Sequence, residues 1–336
     1  MEAVQSLSEG DDRFARWLAN MRRGAFAEAW RISDQVLHER RGRPCADLPP
    51  HERYFWDGTP LTDRRVMIRC YHGLGDTIQF VRYAPCVRAI AQSVHLAAQA
   101  ELTPLLQPLT ALGIELVDDG FADFDLEVEL MELPHVFRTT LATMPRQPPY
   151  IHVQPAPLQR AAKLEVGLVW RAGAGWDRRR NIPGAELTPL ATVPDMRLHI
   201  LQNRQDCHNL PAGLGVMSQR DQLFDLACFM RALDLVITVD SMPAHLAGAL
   251  GMPVWNLLHS DPDWRWMEEC ERSPWYPTMR LFRQKKIADW RAVIARVTAE
   301  LQRLTSSSHH QRISSNSPAD RPVSVLLQDY PSSSRD

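Results

Sequence analysis

The run Asp234-Leu-Val-Ile-Thr-Val-Asp240-Ser241-Met-Pro-Ala-His245-Leu-Ala-Gly-Ala-Leu-Gly251-Met-Pro-Val254 constrains the fold of this chain more than any other stretch. An apolar run, a polar hinge, a helix of small residues and a second apolar run follow in that order, which reads as strand, helix, strand. Leu235 to Val239 is rich in β-branched residues and almost wholly apolar, as suits a strand covered on both faces in a parallel sheet. Ligands of such sheets sit beyond the strand C-termini. There Asp240 or Ser241 can cap the new helix, Pro243 fits its first turn, and the helix N–H groups with their dipole attract an anion such as phosphate. His245 lies four residues after Ser241 and faces the same side. The structural alternative is that Asp240 and Ser241 only cap a helix and His245 is a packed histidine.

A second segment has the same grammar. Arg65-Val-Met-Ile-Arg-Cys-Tyr71 alternates toward a strand, His72-Gly73-Leu-Gly75-Asp76 is a glycine-containing turn, and Thr77-Ile-Gln-Phe-Val-Arg-Tyr83 opens a helix. Gly73 and Gly75 let the backbone come close to a ligand or take φ > 0. Asp76 therefore sits at a strand-to-helix crossover, where an α/β unit presents a side chain to a cleft. Its alternative role is an ordinary helix cap.

The chain of 336 residues is long enough for two domains with appendages. Its 38 basic and 40 acidic residues give a formal charge of −2, so there is no general pull toward nucleic acid or membrane and any anion site must be local. Cys45, Cys70, Cys86, Cys207, Cys228 and Cys270 form no CxxC pair and read as free thiols of a reducing compartment. The N-terminus has no basic start or long apolar core, and no apolar run approaches the ~18 residues that span a bilayer. A cytoplasmic protein is expected, with membrane contact only at its surface.

Residues 1–48 form an N-terminal helical segment: Phe14, Trp17, Leu18 and Met21, then Phe26, Ala29, Trp30, Ile32, Val36 and Leu37, keep helical spacing around Arg22-Arg23-Gly24. The segment resembles one tetratricopeptide-type helix pair. A single pair cannot bury its own face, so it is expected to pack on the domain that follows. A first α/β domain is expected over 62–155 and a second over 160–287, with the five prolines between Pro145 and Pro157 as a hinge. A last helix follows over 288–304, and the Ser-rich tail 305–336 reads as disordered. The acidic residues Glu127, Glu129 and Glu132, spaced by two and three with no nearby His or Cys, read as a solvated strand face in preference to a metal site.

Read together, Gly73-Leu-Gly75-Asp76, Val166-Gly-Leu-Val-Trp170 and Asp240-Ser241-x-x-x-His245-Leu-Ala-Gly-Ala-Leu-Gly251 resemble the family 9 glycosyltransferases, the group of the lipopolysaccharide heptosyltransferases. Asp263-Trp-Arg-Trp266 and Ser273-Pro-Trp-Tyr-Pro-Thr-Met-Arg-Leu-Phe-Arg283 are similar to a branch in which this domain follows tetratricopeptide repeats. The resemblance covers residues from about 14 to 304. It implies a GT-B fold: an acceptor domain and a nucleotide-sugar domain, both Rossmann-like with parallel sheets, facing a cleft, and a C-terminal helix returning to the first domain. It makes Asp76 the general base and puts Asp240, Ser241 and His245 in the donor-binding motif.

The chemistry fits those roles. A sugar hydroxyl becomes a nucleophile when a carboxylate within reach takes its proton. A diphosphate leaving group needs its growing charge compensated, and the helix N–H groups near Ser241 could do that. Arg171 and the run Arg178-Arg179-Arg180 could add charge-assisted bonds to phosphate, the run's alternative being a solvated loop. Gln202 ends a strand at the same edge and serves the base or ribose, or a structural role. The expected transfer is inverting, needs no metal and uses no cofactor beyond the nucleotide-sugar substrate. The loop His259-Ser-Asp-Pro-Asp263 lacks the glycine-containing turn usual in heptosyltransferases, which leaves ADP-heptose and other activated sugars open as donor and the glycan or protein acceptor undefined. Two other classes remain: a catalytically silent GT-B scaffold that binds a partner, and a nucleotide-sugar epimerase.

Overall fold

The computed structural model describes residues 2–42, 47–49, 53–173, 175, 177–207 and 210–306, with side chains from residue 12 onward. Cys45 and the tail beyond Ser306 lie outside the described residues.

Four parallel strands, β1 (Arg65–Arg69), β2 (Ser93–Ala97), β3 (Ile114–Leu116) and β4 (Leu126–Glu129), make a first sheet in the order β3-β2-β1-β4. Its helices are α3 (Leu74–Phe80), α4 (Ala84–Ile90) and the single turns α5 (Thr103–Leu106) and α6 (Leu133–Val136). Six parallel strands make the second sheet, in the order β10-β9-β8-β5-β6-β7: β5 (Leu164–Leu168), β6 (Met196–Ile200), β7 (Val216–Met217), β8 (Leu235–Val239), β9 (Val254–Leu258) and β10 (Met279–Arg283). Its helices are α7 (Leu223–Arg231), α8 (Met242–Ala249) and α9 (Trp290–Ser306). Every residue of β8 is buried, as its two-sided apolar run demands.

The two sheets share one core. Small residues on α8, among them Ala244, Ala247 and Gly248, are buried and let α3 of the first domain lie directly against it. Gly75 makes this approach possible, since a Cβ there would stand 2.9 Å from His245 Cδ2 and 3.3 Å from Met242 Cα. The proline segment is not a free hinge. Tyr150 N–H donates to Ala249 O at 3.0 Å at the end of α8, and the Tyr150 hydroxyl donates to Ile78 O at 2.9 Å in α3.

A second core lies on the other side of the six-stranded sheet, where α9 buries Trp290, Val293, Ile294, Val297 and Leu301 against residues such as Val166, Leu235 and Phe282. The last helix thus packs on the second domain instead of returning to the first, because its apolar stripe meets β10 and the turn 184–192 of its own domain.

The N-terminal helices α1 (Glu2–Arg22) and α2 (Phe26–Arg40) touch both domains. Trp30 Nε1 donates to Thr139 O at 2.6 Å, and Asp34 pairs with His135 at 2.9 Å, both on the first domain. On the second, Arg22 pairs with Asp261 at 2.7 Å, its carbonyl accepts from Glu268 N–H, and Trp17 meets Trp264 edge to face. The expectation that this pair packs on the following domain is therefore too narrow: it straps the two together.

Candidate functional site

Asp76 occupies the third position of α3. Its Oδ2 accepts from Gly73 N–H at 3.0 Å while Asp76 N–H donates to Gly73 O at 2.9 Å, and this pair of bonds fixes the carboxylate at the turn. Its Oδ1 meets Arg265 Nη2 at 2.5 Å. Arg265 comes from the second domain, in the turn Trp264–Trp266, and its Nη1 also pairs with Asp263 at 2.9 Å. Arg265 is 8 % exposed, and its guanidinium lies over the rings of Trp264 and Phe80. Burial opposes its charge, but Asp263 and Asp76 outweigh this and hold it firmly protonated. Burial would likewise raise the Asp263 carboxyl, yet Arg265 holds it below its ordinary value.

Asp240 follows β8, and its charge also reaches this cation. It is 4 % exposed, and burial pushes its carboxyl up to about 6 even though Arg180 pulls the other way from 3.4 Å. Asp240, Asp263 and Asp76 thus surround Arg265, which feels all three. The two carboxylate-bearing turns, 164 positions apart by number, meet at one buried charge cluster.

The other sequence-derived residues divide into two groups. Ser241 stands at the start of α8, but its hydroxyl donates back to Val239 O at 3.0 Å and caps no helix N–H. His245 is buried between the domains: it stacks on Trp266, its Nδ1 meets Tyr276 Oη at 3.0 Å, and burial with Arg265 nearby keeps the ring neutral. Met242, at the N-terminus of α8, lies against Gly75. Arg171 and Gln202 come together at the ends of β5 and β6. Gln202 Oε1 accepts from Trp170 and Arg171 N–H, while its Nε2 donates to Asp206 at 3.0 Å, so its amide is engaged within the turn. Within the Arg178–Arg180 turn, Arg179 pairs with Asp177 and Asp261 and Arg180 turns toward Asp240.

Sequence reasoning missed three functional-looking residues. Arg265 was visible only as part of a resembling motif, with no role attached. Arg82 is buried at the domain boundary, donating to Gln79 O, Pro145 O, Trp275 O and the Tyr150 hydroxyl at 2.7–2.9 Å. Glu129 is the third, and it corrects the acidic-face expectation. Glu127 does pair with Arg69, at 3.0 Å from Nε, but Glu129 is 3 % exposed and Glu132 accepts from Trp56 and Glu129 N–H. The segment preceding β1 covers this end of the strand and takes it out of water. Burial, with Glu132 close by, pushes Glu129 up to about 8, and burial raises Glu132 to about 7.

Among the described residues no group of three or more His, Cys, Asp or Glu side chains is placed to share a metal ion. None of the helices there is long and apolar enough to cross a membrane.

Two α/β domains with parallel sheets, meeting where α3 after β1 packs on α8 after β8, have the fold of GT-B-like glycosyltransferases. The glycosyl transferase family 9 structure from Veillonella parvula superposes with a TM-score of 0.50 at 13 % identity, over 74 % of this chain and 99 % of that one. The E. coli protein TibC, described as a dodecameric iron-containing heptosyltransferase in complex with ADP-D-beta-D-heptose, gives a TM-score of 0.46 at 15 % identity, over 68 % of this chain and 65 % of its own. In sequence the chain is 25 % identical to Protein FlbA of Caulobacter vibrioides over 343 residues, 88 % of this chain. The chain spans 55 % of that relative's length. No protein-family model matches it.

Proposed function

We propose that this protein is an inverting glycosyltransferase that moves a sugar from a nucleotide-diphosphate donor to an acceptor hydroxyl without a metal ion. The observation that carries the reading is the Arg265 cluster, in which a carboxylate from each domain faces one buried cation. Asp76 is the base: it takes the acceptor proton as the hydroxyl oxygen bonds to the anomeric carbon, and the bond to the diphosphate breaks with its electron pair leaving on phosphate. Arg265 and Arg180 supply charge where that leaving group grows negative. Asp240 and the backbone of Gly73 and Gly75 shape the cleft between them. ADP-heptose is the first donor to test.

A catalytically silent binding protein is the second reading, and one observation favours it. Arg265 and Gly73 already engage both oxygens of Asp76, and Gly75 covers the start of α8 where an anion would sit. Thermal-shift titration with nucleotide-diphosphate sugars, followed by transfer assays with Asp76→Asn, separates the two. The transferase reading requires a donor to raise the melting temperature of both forms while only the wild type transfers sugar. No shift with any donor would sink it.

A further inference from the structure

The two ends of the Arg265 fork hold carboxylates of different origin. Nη1 pairs with Asp263 at 2.9 Å, and the same Asp263 oxygen accepts from Arg265 N–H at 3.0 Å, so this contact belongs to the turn that carries the arginine. Nη2 reaches across the domain boundary to Asp76 in α3, with Met131 Sδ beside it at 3.9 Å. The turn itself is fastened from outside. Arg22 of α1 pairs with Asp261 at 2.7 Å and donates to Pro262 O at 3.2 Å, Glu268 N–H donates to Arg22 O at 3.1 Å, and Trp17 meets the Trp264 ring edge to face. With both flanks held, the long side chain of Arg265 is the part that can change partner.

The charges around it decide how an anion enters. Asp76, Asp263 and Asp240 set three carboxylates against Arg265 and Arg180. A phosphate placed on Nη2 beside Asp76 would press anion against anion, so the two compete for that nitrogen instead of sharing it. Phosphate and carboxylate oxygens suit a guanidinium equally well, and one can replace the other without a new donor.

We infer that Arg265 is a partner-exchange switch: in the resting protein it masks Asp76, and the diphosphate of a nucleotide displaces Asp76 from Nη2 while Asp263 keeps Nη1. The exchange frees Asp76 Oδ1, and Gly73 N–H, 3.0 Å from Oδ2, keeps the freed carboxylate aimed at the cleft. Asp76 is then open to a hydroxyl when a diphosphate is in place and closed to it otherwise. What the freed carboxylate does rests on the transferase reading; the exchange is a binding event and needs no transfer to be measured. The engagement of both Asp76 oxygens is, on this account, the resting state of the site.

The test is calorimetric titration of the full chain with ADP, UDP, GDP and inorganic pyrophosphate, in wild type, Asp76→Asn, Asp263→Asn and Arg265→Lys. Asn at 76 keeps an oxygen for Gly73 N–H and gives up the charge that competes for Arg265. The ligand no longer works against a masked state, and affinity for at least one of the four should rise on the order of tenfold. Asp263→Asn takes one charge from the same guanidinium but leaves Asp76 on Nη2, and should bind no more tightly than wild type. Arg265→Lys keeps the charge without the fork and should bind more weakly than wild type, by on the order of tenfold. An equal gain in both Asn variants would mean general relief of repulsion and would overturn the exchange. So would equal affinity of wild type and Asp76→Asn, or indifference to Arg265→Lys, and in each of these cases the transferase reading would stand. Failure of every one of these ligands to bind any of the proteins would remove both.

Discussion

Replacing Asp240 by Asn should make the protein more stable while it weakens the site. The Asp240 carboxyl titrates at about 6 in the folded chain, against about 3.9 for an unfolded aspartate. A tenfold difference in proton affinity is worth about 1.4 kcal/mol, so keeping this group ionised costs the fold roughly 3 kcal/mol. The sign follows from which state holds the proton more tightly. Here the folded state does, so the penalty is absent below about pH 4, grows as pH rises through about 6, and is complete above it. The attraction of Arg180 is already inside that net figure, since it is one of the causes that set the folded value. Asn has no proton to lose. Urea unfolding of wild type and Asp240→Asn at about pH 4 and about pH 8 should show similar stability at the lower pH and a gain of a few kcal/mol for the variant at the higher. Glu129 and Glu132 also titrate in this range, but they are common to both proteins and cancel in the difference. In the same variant, donor binding by thermal shift should weaken. A variant as stable as wild type or less so at about pH 8, or an unchanged pH slope, would refute the reasoning.

Arg265→Met removes the cation from among three carboxylates and should cost about 3–5 kcal/mol at neutral pH by urea unfolding, with part of the loss recovered as pH falls and the acids protonate. Gly248→Ala would bring a Cβ within 2.8 Å of three Tyr276 ring atoms, so the variant should lose at least about 1–3 kcal/mol and the domain contact should loosen. Trp30→Ala removes a buried indole and its bond to Thr139 O, and limited proteolysis should then cut between α2 and β1 faster than in wild type.

The strands and the main turns were legible because they depend on local pattern. Leu235–Val239 has a two-sided apolar face that few other structures accept, and Gly73-Leu-Gly75-Asp76 announces its own turn chemistry. The partnerships were not. Arg265 finds Asp76 from 189 positions away, and nothing in the neighbourhood of either residue encodes the other. Glu129 shows the same limit from the opposite side. Its strand alternates as a solvated one does, and only the arrival of Trp56 and its neighbours from before β1 buries that end. His245 was read with the polar turn because of its spacing from Ser241, while the packing of Trp266 and Tyr276 around it comes from later in the chain.

Because α1 and α2 grip Thr139 and His135 on one side and Asp261, Trp264 and Glu268 on the other, the lobes are not free to swing apart as a hinged pair. Any widening of the cleft has to unfasten one set of those grips, and both hold buried rings: Trp30 is 6 % exposed in the first, and Phe26, 1 % exposed, stacks on Trp275 in the second. Opening on either side would wet an aromatic contact, so the strap resists the motion from both ends.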